Sequence, residues 1–181
     1  MEKFTLEINT ITRQFRETFG TLTIEQINWR PGPNTWSIAQ NLDHIMVINN
    51  SYVPMIEKVR KGTYKQPFWA RIGFMVSLIG NFILKGVNPD RAKKMKTFPI
   101  WEPAQSNLPD DILDRFEHHQ EELKALIENS ADLVAKGIVI SSPANHNIVY
   151  TLEKAFEIII THEKRHFEQA KEVLRLMPES N

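Results

Sequence analysis

A chain of 181 residues fits one domain, and at that length roughly 70% of the unfolded surface is buried on folding, so the core needs neither disulfide nor metal. Lys plus Arg total 22 and Asp plus Glu total 22, a zero formal balance that gives no overall attraction for nucleic acid or anionic lipid. No cysteine is present, which excludes disulfides, thiolate ligands and a nucleophilic thiol; any metal falls to His, Asp or Glu.

Met1-Glu2-Lys3-Phe4 lacks the basic start, apolar run and cleavage site of a signal peptide, so a cytoplasmic protein is expected. From residue 3 to 20, Phe4, Ile8, Ile11, Phe15 and Phe19 recur at three- and four-residue steps, the stripe of a first helix stopped by Gly20. Trp29-Arg30-Pro31-Gly32-Pro33-Asn34 cannot continue it, because proline lacks the N–H and glycine favours turns. A second helix is expected over about 36 to 60, capped by Asn34 or Thr35 and kinked at Pro54. Its stripe is Ile38, Leu42, Ile45, Tyr52 and Ile56.

The connection that follows, 62 to 107, is too long for a hairpin and lets the second and third helices run parallel. It holds a nearly continuous apolar segment from Phe68 to Leu84, then a basic stretch with Lys85, Arg91, Lys93, Lys94 and Lys96. The uncharged run Ile72 to Leu84 is 13 residues, short of the roughly 20 that cross hydrocarbon. An extra helix packed on the rest of the protein is expected, with contact to a second copy as the next reading and a helix lying flat on a membrane as the least favoured. Pro109-Asp110-Asp111 opens a third helix, with Ile112, Phe116, Leu123, Ile127 and Val134 leading to Gly137. A fourth runs from about 148 to 177, and strand-like alternation is nearly absent. The expectation is a single all-α domain, a four-helix bundle over residues 1 to 181 with an apolar helical insertion.

The fourth helix carries His162-Glu163-Lys164-Arg165-His166, two imidazoles one turn apart that can reach one ion. Read as H-E-x-x-H, the segment would make Glu163 the base of a zinc protease, but Gln169 and Glu172 replace the Gly and final His of the extended motif. Only 15 residues follow His166, too few for a ligand on a second helix, so a third ligand is sought upstream. His44 flanks the apolar face of the second helix and can meet the fourth across the core. His119 lies in the apolar face of the third helix, either a fourth or supporting ligand or a satisfied core histidine; His118 and His146 are expected to face solvent.

Trp36-Ser37-Ile38-Ala39-Gln40-Asn41-Leu42-Asp43-His44 resembles the W-[ST]-x(6)-H segment of the DinB/YfiT-like superfamily, and His162-x-x-x-His166-x-x-Gln169 resembles its C-terminal motif. The resemblance implies an up-down-down-up bundle holding a divalent ion, nickel or zinc, on His44, His162 and His166. It further implies metal-assisted transfer of a low-molecular-weight thiol, of the bacillithiol or mycothiol kind, to a small electrophile. Gln169 would be a hydrogen bonder at the site and Glu163 a candidate base; an unpaired carboxylate near the centre of an apolar face is costly, so Glu163 either pairs with a cation or serves the site. The same ion activating water would make a small-molecule hydrolase, and a bundle without activity is a third reading. The expected partners are a small-molecule substrate and a second copy in a homodimer, with no nucleic acid.

Overall fold

The computed structural model describes residues 1–90, 97–105 and 107–178. Arg91, Lys93, Lys94 and Lys96 of the basic stretch lie outside the described residues. Seven helices are present among the described residues: α1 (Glu2–Phe19), α2 (Ile24–Asn28), α3 (Ile38–Arg60), α4 (Gly73–Val87), α5 (Ile112–Glu128), α6 (Ala131–Ala135) and α7 (Leu152–Leu176). A two-stranded sheet, β1 (Val139–Ser142) and β2 (Asn145–Thr151), stands between α6 and α7.

The four long helices α1, α3, α5 and α7 bury their stripes against one another. Phe4 meets Phe156 and Phe15 meets Phe167, ring centroids 5.9 and 5.1 Å apart, so α1 and α7 run the same way. Arg16 pairs with Asp114 while Lys124 reaches Asn9, so α5 runs opposite to α1. Asn49 meets His119, and Arg60 donates to the Asn129 carbonyl, so α3 and α5 share a direction. Asn49 meets Glu163 while Asn41 meets His166, which sets α3 against α7. Phe15 sits at the centre, fully buried, with its ring 4.8 Å from Phe116 as well.

Several boundaries differ from the sequence reading, each for a local reason. The second long helix starts at Ile38, because Ser37 and Gln40 form a reciprocal cap: the Ser37 hydroxyl accepts the Gln40 N–H and the Gln40 side chain accepts the Ser37 N–H. The helix continues through Pro54 to Arg60. A short helix missed from sequence, α2, has the same device in Thr23 and Gln26.

The expected third helix does not reach Gly137 unbroken. The Ser130 hydroxyl bonds back to the Leu126 carbonyl, a local alternative to the helical ladder, and α6 begins separately after it. Gly137, at φ +63°, ends α6 in a conformation that a side chain would strain.

Strand pairing corrects the near absence of β structure. Ile140 pairs with Tyr150 and Val139 with Thr151, with the register shifting at Ser141/Ser142. Residues 148 to 151, expected as helix, therefore belong to β2, and Thr151 caps α7 through the Lys154 N–H.

The insertion is helical, as α4, and its inner side packs on β2 and α7. A Cβ at Gly80 would lie 2.9 Å from Lys154 Cγ and 3.1 Å from Tyr150 Cβ, so only glycine admits this approach. The preceding turn, Phe68–Arg71, is tied to the hairpin by Trp69 Nε1 donating to the Asn147 carbonyl. No helix among the described residues is long and apolar enough to cross a membrane.

Candidate metal centre

Three histidines from two antiparallel helices converge. His44 on α3 and His162 and His166 on α7 each offer a ring nitrogen, and these atoms all lie within 4.8 Å of one another. The His162 and His166 Nε2 atoms are 3.0 Å apart, an approach that one helical turn between them permits.

The tautomers of two rings follow from their neighbours. His44 Nδ1 lies 2.5 Å from the Trp101 carbonyl oxygen, which can only accept, so His44 carries its proton there and presents an Nε2 lone pair. His166 Nδ1 lies 2.7 Å from Asn41 Oδ1. Asn41 Nδ2 donates to the Ser37 carbonyl, which fixes the amide with its oxygen towards the ring. His166 therefore also donates from Nδ1 and holds a lone pair on Nε2. His162 Nδ1 is buried and has no hydrogen-bond partner in the structure.

Burial holds all three rings neutral. Desolvation pulls His44 down to about 4, against the opposing pull of the Trp101 carbonyl and Asp43. His162 and His166 are pushed well below the ordinary histidine value, first by burial and then by the neighbouring rings and Arg165. Two neutral imidazoles with lone pairs fixed by backing hydrogen bonds, and a third neutral ring beside them, make a donor set that a divalent ion can take. The residues fit a metal.

The insertion helps to build this site. The turn Pro99–Trp101 brings the Trp101 carbonyl to His44, and Trp101 Nε1 donates to Ser51 Oγ. Asp43 accepts the Ala104 N–H while Gln40 donates to the Ala104 carbonyl, which stitches this stretch onto the first two turns of α3. Trp36 closes one side, its ring 4.6 Å from His44 and stacked on His166 at 5.8 Å.

A cavity of about 900 Å³ opens against the three rings. Ile48, Ile83, Val87, Ile148 and Ile158 supply apolar wall, and Gln169 and Arg165 stand on it with the ligands. At another point on the wall the Tyr52 and Tyr150 hydroxyls are 2.7 Å apart, both held protonated by burial.

Glu163 does not line this cavity. It is fully buried and takes hydrogen bonds from Asn49 Nδ2 at 2.7 Å and Gln120 Nε2 at 2.9 Å, and desolvation raises it to about 7 despite both. His119 is not part of the three-histidine group; its Nε2 lies 3.2 Å from Asn49 Nδ2 in the same buried cluster. His118 is exposed beside Glu122, and exposed His146 approaches Ser141 from β2.

Sequence reasoning missed the supports of the ligands. Asn41 stands inside the quoted motif, three residues before His44, and could have been singled out as a polar residue on a buried helical face. The Trp101 contact joins a backbone carbonyl to a ring 57 residues away, and no side-chain pattern signals it.

The family described as the DinB superfamily matches over residues 7–170. No curated protein and no solved structure matches.

Proposed function

Since the chain belongs to the DinB superfamily, which is metal-binding, we propose that His44, His162 and His166 hold a divalent ion, nickel or zinc, that serves transfer of a low-molecular-weight thiol to a small electrophile. The observation that carries this reading is the pair of fixed tautomers, on His44 and His166, aiming lone pairs at one point on the wall of an apolar cavity. A divalent ion held by these three neutral imidazoles would supply an undiminished positive charge, enough to favour the thiolate form of a bound thiol near neutral pH. The directions of the four long helices support an up-down-down-up bundle as the scaffold.

The remaining roles fall to residues of this chain. The apolar part of the wall, with Ile48, Ile83, Val87, Ile148 and Ile158, would seat the electrophile's apolar portion and limit competition from hydrolysis when a thiol attacks its electrophilic carbon. The new bond is S–C, the leaving group departs with its electron pair, and the thiol proton passes to solvent. Gln169, on the cavity wall, orients the acceptor through its amide. Glu163 acts at one remove as a positioning residue, bridging α3 and α5 through Asn49 and Gln120 beside the ligand His162.

Titrating small thiols into the cobalt-substituted protein tests the reading, because thiolate coordination gives a charge-transfer band that imidazole and water do not. The expected result is that band with at least one low-molecular-weight thiol. Its absence with every thiol, alongside hydrolysis of esters or amides, would transfer the site to water activation.

A further inference from the structure

The neutral balance of the chain hides a segregation of charge. Residues 58 to 101 carry ten Lys or Arg and one acidic residue, Asp90, whereas the rest of the chain carries 12 basic and 21 acidic residues. Of these ten cations, Arg60 and Lys61 pair with Asp132 and Glu57, Arg91, Lys93, Lys94 and Lys96 lie outside the described residues, and Arg71 and Lys85 stand beside and on α4.

That stretch also concentrates exposed apolar surface. Seven of the nine large hydrophobic side chains exposed among the described residues fall within it. Three of them, Phe74, Leu78 and Phe82, follow one another at four-residue steps along α4 and are 74%, 53% and 67% exposed. The opposite side of the helix, through Val76 and Gly80, is already spent on β2 and α7. Arg71 precedes the stripe and Lys85 ends it, each three residues beyond its last member and each exposed; Ser77 and Asn81 form its polar flank.

We infer that the outer face of α4 is an interfacial membrane-docking surface, seated on an anionic lipid bilayer with its apolar stripe in the headgroup region. A helix of 15 residues is roughly 22 Å long, too short to span and suited to lying flat. Bulky apolar residues down one line, cations at both ends and no acidic residue within the helix are what an interfacial helix uses. Each nearby Lys or Arg adds attraction to anionic headgroups.

A second copy of the chain, the partner expected from sequence, fits this face less well. A two-fold contact sets identical patches against each other, which would bring Arg71 and Lys85 of one copy against the same cations of the other. A lipid surface supplies the opposite charge instead. The docking helix is also a wall of the cavity, to which it contributes Ile83, Gly86 and Val87.

Co-sedimentation of the full-length protein with vesicles tests this. The protein should pellet with vesicles containing phosphatidylglycerol and stay in solution with phosphatidylcholine alone, and raising salt should release it. Replacing Phe74, Leu78 and Phe82 together with serine should lower the bound fraction about tenfold or more while helical circular dichroism stays native, since these side chains are exposed. Phe82→Ser alone should give a partial loss. Failure to bind phosphatidylglycerol vesicles, or undiminished binding by the folded triple variant, would overturn the proposal. So would light scattering that finds a dimer which the same variant converts to monomer, which assigns the face to a second copy.

Discussion

Asn41 Oδ1 accepts the Nδ1–H of His166 at 2.7 Å, and the amide is held in that orientation by its own bond to the Ser37 carbonyl. One residue thus connects the capping segment of α3 to a candidate ligand on α7. Replacing Asn41 with Ala leaves the His166 ring free to rotate and to exchange its proton between nitrogens. The expected outcome is a loss of roughly 10- to 100-fold in divalent-metal affinity, measured by chelator competition, with the helical signal retained.

Removal of a ligand should act more completely. Elemental analysis of the wild type should find about one divalent ion per chain, and His162→Ala or His166→Ala is expected to abolish it. Circular dichroism should change little, because the apolar stripes of α1, α3, α5 and α7 do not depend on those rings. Undiminished metal in both variants would remove the site assignment.

His119 sets a pH dependence on stability. Burial lowers it from 6.5 to about 4, so the folded protein keeps it neutral where the unfolded chain protonates it. A depressed folded value means that the contribution is complete above pH 6.5 and is lost progressively as pH falls towards 4. At pH 5 the loss attributable to this ring is about 2 kcal/mol. His119→Gln retains an acceptor for Asn49 without a titrating group, so urea titrations at pH 7 and pH 5 should show a smaller difference in the variant than in the wild type. Equal differences would show that His119 carries no linkage.

Phe15 measures the bundle itself. Its ring is fully buried and touches Phe19, Phe116 and Phe167, so it joins three of the four long helices. Phe15→Ala should cost about 3–5 kcal/mol of unfolding free energy through lost burial and the cavity left behind. A loss below 1 kcal/mol in denaturant titration, on the same order as a surface substitution, would mean the core repacks around the gap.

The long helices were legible because a period near 3.6 survives in the residues that face the core, as in Phe4, Ile8, Ile11, Phe15 and Phe19. The two ligand motifs were legible for the same reason, since spacing on a helix fixes which side chains share a face. The hairpin was not. Its residues Val139 and Val149 pack with Ala70, Val76 and Ile79 of the insertion, and Ser141 donates its N–H to the Tyr64 hydroxyl, contacts that no local alternation records. The break at Ser130 and the start at Ser37 turned on single hydroxyl bonds. Glu163 was recognised as a buried carboxylate, but whether it faced the cavity or the amides of Asn49 and Gln120 depended on packing between three helices.

The two fixed rings of the candidate site are exposed to mutation very unequally. His166 is oriented by the side chain of Asn41, which a single substitution deletes. His44 is oriented by the main-chain oxygen at position 101, and every amino acid that could replace Trp101 brings that oxygen with it. Drift at position 101 therefore leaves the acceptor in being as long as the turn keeps its path, whereas drift at position 41 does not. In a population of diverging sequences the first contact is inherited with the fold, and the second has to be maintained by selection on one codon.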